Sequence, residues 1–346
     1  MTAEIYMDNH ATTRVDPRVV TRLLPFLTEE YGNASSKHHG FGRRAGEAVE
    51  TARQEVSEIL GCSAREIVFT SGATESNNLA IRGVAITSRP RGNHIITAAT
   101  EHHAVLDVVR RLEREGFRIS ILPVHSEGML DLDQLKETIT EQTILVSLMA
   151  ANNEIGTLHP LAEIGSICKA RGVLFHTDAV QAVGRIPLNV EEMGVDLLSL
   201  SGHKIYGPKG VGALYVRRRQ PTVRLERLLE GGGQERGLRP GTLNVPGIVG
   251  LGMACRLCQE EMPTEASRLS GLRDRLQKAI LSHLEGVEVN GHPTQRLPGN
   301  LNLSFAWVRG EALLMSLRRV AVSSGSACTS EQPQASHVLR AIGRDE

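Results

Sequence analysis

Little in this chain points to nucleic acid, a membrane or an oxidising compartment. Its 39 Lys+Arg match its 39 Asp+Glu, so the formal net charge is zero. There is no basic stripe to bind nucleic acid and no acidic arm. The opening "MTAEIYMDNHATT" lacks the apolar core of a signal peptide, and no apolar run is long enough to span a bilayer. Five cysteines, at 62, 168, 255, 258 and 328, are odd in number and scattered, which suits reduced thiols better than a disulfide framework. No internal repeat and no low-complexity segment interrupts the chain. These absences predict a soluble cytoplasmic protein with no nucleic-acid and no membrane partner.

Cys255 and Cys258 form a CxxC, a spacing used in redox and zinc sites. It sits inside "IVGLGMACRLCQEEM", which reads as helix, and no second Cys/His pair completes a metal site. Ordinary helix packing is the simpler reading.

The 346 residues suffice for one large or two ordinary domains. From about residue 65 to 217, apolar runs alternate with amphipathic stretches. "EIVFTS", "NHIITAAT", "FRISILPV", "TILVSLMAA", "VLFHTDAV", "VDLLSLSG" and "GVGALYVRR" read as strands. "TESNNLAIRGVAI", "HAVLDVVRRLERE" and "LAEIGSICKARG" have helical spacing. The pattern predicts an α/β protein with a mainly parallel sheet of the seven-stranded type, covered by helices on both faces. Beyond the Gly/Arg-rich "EGGGQERGLRPGTLN", a charged amphipathic helix "PTEASRLSGLRDRLQKAILSHLE" leads to short strands "LNLSFAW" and "VAVSS". A large domain over 16–250 and a smaller α+β domain over 1–15 and 251–346 are expected.

Ligands of such sheets sit at the carboxyl ends of the strands, and here those ends are polar. Lys204, in "SGHKIYGPKG", could be an ordinary surface lysine or one that forms a Schiff base. Asp178 ends the preceding strand in "HTDAVQ", so amine and acid can face one crevice. Pyridoxal phosphate needs such a pair, with the acid opposite its ring nitrogen. "FTSGATESNN" runs strand, glycine, helix, and offers backbone N–H groups and the Thr74 hydroxyl to a phosphate. Taken alone it is also an ordinary helix cap. Ser201 and His203 could add phosphate donors. His102 could stack on the ring or carry protons, and Asn153 and Gln181 could bond the ring hydroxyl. Each of these side chains has a plain structural use; their arrival at successive strand ends favours the joint reading.

"SSGSACTS" places Cys328 among small hydroxylated residues that seldom line a core. With "YMDNHATT", "YGNASSKHHGFG", "TSGATESNN", "TEHHAVL", "NNEIGT", "HTDAVQAVG", "SGHKIYGPKG" and "GGGQERGLRPGT", it resembles the cysteine desulfurases of the NifS/IscS type, among the fold type I pyridoxal phosphate enzymes. The resemblance runs in order over essentially the whole chain. It implies that Lys204 carries the cofactor, that Asp178 pairs with the ring nitrogen, and that His102 stacks on the ring. It gives Asn153 and Gln181 to the ring oxygen, and Ala73, Thr74, Ser201 and His203 to the phosphate. Thr242 would reach the phosphate of a partner subunit, so a homodimer is implied. Asn33 and Asn153 would lie near the substrate. Cys328 would be the nucleophile that takes sulfur from L-cysteine, leaves L-alanine, and passes its persulfide to an iron–sulfur scaffold protein or another acceptor. No metal ligand is implied beyond a transient iron–sulfur role for Cys328.

The family's chains continue past "SHVLRAIG" and carry there an arginine for the substrate carboxylate, so the resemblance implies that this part of the small domain is missing here. The competing readings are a selenocysteine lyase or aminotransferase on the same fold, and an inactive, shortened desulfurase-like binding subunit.

Overall fold

In the computed structural model, residues 4–219, 222–324 and 336–344 are described. The chain starts with a short strand, β1 (Ile5–Tyr6), and three helices, α1 (Pro17–Leu23), α2 (Pro25–Thr28) and α3 (Gly40–Leu60). In α3, Ala45, Val49, Ala52 and Val56 recur every three to four residues and are buried, the spacing of one helix face. There follow β2 (Ile67–Thr70), α4 (Ala73–Ser88), β3 (His94–Ala98), α5 (His103–Arg114), β4 (Arg118–Leu122), α6 (Leu132–Thr138) and β5 (Thr143–Ser147). Then come α7 (Leu161–Ala170), β6 (Leu174–Asp178), β7 (Leu197–Ser201) and β8 (Gly212–Val216).

Seven strands form one sheet in the order β2-β8-β7-β6-β5-β3-β4. All pairings are parallel except those of β8, which is antiparallel to both neighbours. The expected mainly parallel, helix-covered sheet is the one found. Every residue of β2, β3, β5, β7 and β8 is buried, as continuous apolar runs between two helical layers require. The pleat sends successive side chains to opposite faces. Val68, Ile95 and Leu197 join the core against α4 and α5, while Phe69, Ile96 and Leu198 join the core on the α3 and α7 side.

Beyond the sheet, α8 (Val245–His283) runs for 39 residues and holds Pro263 in its interior. The sequence suggested two helical stretches here, the second opening at that proline. The expected domain division near residue 250 therefore falls inside one helix. Its first third is buried against α3, where a β-carbon on Gly252 would come within 2.6 Å of Ala52 Cα. Cys255 is fully buried in this packing, and burial pushes its thiol well above the usual range. The chain continues through β9 (Val287–Asn290), β10 (Asn302–Phe305), α9 (Gly310–Ser316), β11 (Val320–Ala321) and α10 (His337–Ala341). β10 pairs antiparallel with β9, and β1 pairs parallel with β11, which ties residues 4–7 to the later region. Among the described residues no helix is long and apolar enough to cross a membrane, and no cluster of His, Cys, Asp or Glu could hold a metal.

Candidate active site

The carboxyl ends of β2, β3, β5, β6 and β7 open into a cavity of about 680 Å³. Ala73, Thr74, His102, Asn153, Asp178, Gln181, Ser201, His203 and Lys204 all line it. Nine side chains spread over 132 positions of sequence thus meet because parallel strands deliver their ends to one edge.

One end of the cavity suits an anion. The cap of α4 is Gly72, so no side chain accepts from the first turn of that 16-residue helix. Its leading N–H groups and the positive end of its dipole face the cavity. A β-carbon on Gly212 of β8 would lie 2.7 Å from Gly72 Cα, so the strand meets the turn only because Gly212 is glycine, while Gly72 takes a φ of 153° that favours glycine. Thr70 Oγ1 braces the turn by donating to the Gly72 carbonyl at 3.1 Å and pairing with Ser76 Oγ at 2.8 Å. His203 joins from the β7 side, its Nδ1 3.1 Å from Thr12 Oγ1. Burial, with Lys204 and Lys209 nearby, lowers its pKa to about 4, so it is a neutral hydrogen-bonding ring near pH 7.

Across the cavity, Asp178 stands at the end of β6 with 7% of its surface exposed. Its Oδ2 accepts from Asn77 Nδ2 at 2.7 Å and its Oδ1 from the Val180 N–H at 3.0 Å. The carboxylate is thereby held in one orientation by two donors. His102 caps α5: its Nδ1 accepts from the Ala104 N–H at 3.0 Å, which places the ring hydrogen on Nε2. Burial lowers its pKa, against the pull of the Asp178 charge. Lys204 closes the short turn after β7, and its Nζ donates to the carbonyls of His10 and Ala11, the latter at 2.8 Å.

Asn33 and Thr242 stand outside this cavity. Asn33 is exposed, and its Oδ1 accepts from the Ser35 N–H at 2.9 Å, capping its own turn. Thr242 is exposed on the Gly/Arg-rich segment. That segment is clamped to α3 by a buried pair, Arg53 Nη2 to Glu235 Oε1 at 2.7 Å, to β2 by the Phe69 N–H donating to Glu235 Oε2 at 2.8 Å, and to α4 by Arg239 and Glu75 at 2.9 Å. Cys328 lies outside the described residues. Ser323 and His337, on either side of it in sequence, both line the cavity. Ser323 Oγ donates to Asp8 Oδ1 at 2.9 Å, and Ser336 Oγ donates to the buried Glu154.

Three contributors were not singled out from sequence: Asn77, His10 and Asn300. Asn77 had a readable signal, because it lies three residues after Thr74 on the same face of α4. His10 lies within "YMDNHATT" but has no local pattern of its own. Asn300 has none.

The set fits a cofactor with an anionic end, a ring nitrogen and a carbonyl carbon that an amine can attack. The uncapped helix end, the doubly held carboxylate and the lysine amine match those three demands, and Asn153 Oδ1 is buried at the cavity without a partner among the described residues. That is the chemistry of pyridoxal phosphate.

A family model described as aminotransferase class-V matches residues 5–342. The cysteine desulfurase IscS of Anaeromyxobacter dehalogenans (strain 2CP-C) is 57% identical over 346 residues, which is 100% of this chain and 85% of that one. The cysteine desulfurase of Homo sapiens is 56% identical over 342 residues, covering 99% of this chain and 75% of that relative. Among solved structures, a NifS-like protein superposes with a TM-score of 0.91 at 41% identity, over 99% of this chain and 90% of that one. A structure described as SspA in complex with cysteine gives 0.88 at 38% identity, over 98% and 94%.

Proposed function

The chain belongs to the aminotransferase class-V family, and from that premise we propose that it is a pyridoxal phosphate-dependent cysteine desulfurase of the NifS/IscS type. Its substrate is L-cysteine, its released product L-alanine, and the sulfur leaves as a persulfide on Cys328. The observation that carries this reading is the meeting of Lys204, Asp178 and the uncapped end of α4 around one cavity.

Bound pyridoxal phosphate supplies an electron sink for charge developing at the substrate α-carbon. The residues divide the remaining work. The first turn of α4, with Thr74, Ser201 and His203, holds the phosphate. Asp178 keeps a proton on the ring nitrogen, and its two fixed donors hold the carboxylate in place. Asn153 and Gln181 bond the ring oxygen, and the neutral ring of His102 covers one face. Lys204 Nζ would hold the cofactor and would take the α-proton of the substrate. Cys328 attacks the substrate sulfur as thiolate, since the thiol itself is a weak nucleophile. The exposure of Thr242 outside its own cavity supports its use at a partner's phosphate, and with it a homodimer. Persulfide delivery to an iron–sulfur scaffold protein or another acceptor completes the cycle.

Added pyridoxal phosphate should give the purified protein a visible absorbance band, and L-cysteine with a reductant should then yield sulfide and alanine. Cys328→Ser should keep the band and lose alanine formation. A protein left colourless by the cofactor, or a serine variant making alanine at the normal rate, sinks the proposal.

A further inference from the structure

Both ends of the Gln181 amide are held by a single residue. Gln181 Nε2 donates to the His10 carbonyl at 3.0 Å, and Gln181 Oε1 lies 3.0 Å from His10 Nδ1. A carbonyl can only accept, so the nitrogen end of the amide must face it and the oxygen end must face the ring. The His10 ring is fixed from its far side as well. Its Nε2 lies 3.5 Å from Asn300 Nδ2, which can only donate. Asn300 is in turn locked, with Nδ2 donating to the Glu154 carbonyl at 2.9 Å and Oδ1 accepting from Arg296 at 3.1 Å. The Gln181 oxygen opposite Nδ1 calls for a hydrogen on Nδ1, and the Asn300 donor on the far side agrees with it; the Gly299 backbone also bonds the ring.

We propose that His10 is a positioning residue: its ring and carbonyl set the polarity of the Gln181 amide, so that Gln181 turns its second N–H, not its oxygen, toward the cavity and the ring oxygen of the cofactor. The inference rests on the function proposed above. The carbonyl that accepts from Gln181 also accepts from Lys204, so one residue aligns the amine and the amide with each other. Arg185 and Lys204 are the charged groups that act on the His10 ring, and both disfavour a second proton on it. Burial first, and then these two charges, lower its pKa to about 4 against the pull of its hydrogen bonds to Gln181 and the Gly299 backbone, so the ring is neutral across the neutral range.

An N–H aimed at the ring oxygen favours its ionised form. Removing the His10 ring donor leaves the amide held by the main-chain carbonyl alone, so its second N–H can swing off the ring oxygen, and the pH at which the cofactor's visible band titrates should rise. The test uses the full chain loaded with pyridoxal phosphate, its visible spectrum followed against pH for wild type, His10→Leu and His10→Asn. Leucine removes the ring donor, whereas the asparagine amide can put an N–H near the place of Nδ1. His10→Leu is expected to raise the apparent pKa by about one unit, the size of one charge-assisted hydrogen bond. It should lower kcat more than it raises KM, and His10→Asn should return the titration close to that of wild type. Equal shifts in both variants, or no shift in His10→Leu, overturn the proposal. A wild-type chain that takes up no cofactor overturns the functional reading itself, and shows it before any variant is made.

Discussion

The cavity has a floor and a rim, and they are built on different principles. The floor is the edge of the parallel sheet: Asp178, Lys204, His102 and the turn before α4 stand at the ends of buried strands. The rim is assembled from pieces far apart in sequence, namely residues 7–12, 300–302, 322–323 and 336–337, and is held by side-chain hydrogen bonds. A sheet edge places groups with the rigidity of a packed core, which suits the carboxylate proposed to face the ring nitrogen. A rim tied by side-chain hydrogen bonds and a two-residue strand pairing, outside the packed sheet, costs less to open, and residues that admit substrate are drawn from such low-stability parts.

The comparison breaks first if the floor can be damaged cheaply. Asp178→Ala removes the only carboxylate expected at the ring nitrogen and leaves Asn77 buried without a partner for its amide. Loss of one partner from a buried charged arrangement costs on the order of 10²–10³-fold in kcat/KM. Sulfide release assays on protein saturated with cofactor would check it. A loss of less than tenfold would take the ring nitrogen away from Asp178.

The floor also has an acid limit of its own. His176 bridges β5 and β7 beneath the site, its Nδ1 2.8 Å from Ser147 Oγ and its Nε2 3.0 Å from Ser199 Oγ. Burial lowers its pKa from 6.5 to about 3. Between those values the unfolded chain binds a proton that the folded chain refuses, so stability falls as pH drops through this window. From pH 7 to pH 5 the contribution of one such histidine is about 2 kcal/mol. His176→Leu should be less stable at pH 7, because two serine hydroxyls lose their partner, yet lose about 2 kcal/mol less than wild type on acidification. Urea midpoints at the two pH values would show it, and parallel slopes would refute it.

Much of the floor was legible in the sequence, and the reason is local. "NHIITAAT" and "VDLLSLSG" are buried on both faces, so their apolar runs show, and their polar ends mark the site directly. The rim has no such signature. His10 is 171 positions from Gln181 and 194 from Lys204, and only the folded chain brings them together. Local propensity also misled at α8: Pro263 reads as a helix start, but the helix passes through it to His283. Lys204, Asp178 and Thr74, which line the cavity, could be singled out in the sequence because their chemistry narrows the choice; Asn300 and Asn77 are amides of the kind that cap turns throughout a protein.

A sharper measure of the floor is a residue that holds Asp178 rather than replacing it. Asn77→Ala deletes one of two donors to Asp178 while leaving the carboxylate in place. One hydrogen bond to a charged group predicts a fall in kcat/KM of about tenfold. It should appear mainly in kcat, with cofactor still bound. An effect as large as that of Asp178→Ala would mean that Asn77 holds the floor together rather than aiming one group.

Within the rim, two serines separate burial from position. Ser336 is buried and donates to Glu154, a carboxyl that burial already pushes upward in pKa; Ser323 donates to Asp8 in the open. Both flank the segment that carries Cys328, and both place a hydroxyl against an acid. Ser336→Ala leaves a buried carboxyl short of a donor, at about 1–3 kcal/mol, whereas an exposed hydrogen bond is replaced by water and Ser323→Ala should cost under about 0.5 kcal/mol. Paired urea titrations of the two variants would resolve that gap. Equal losses would mean that the rim is as rigid at its exposed edge as at its buried one, and the contrast with the floor would then rest on sequence distance alone.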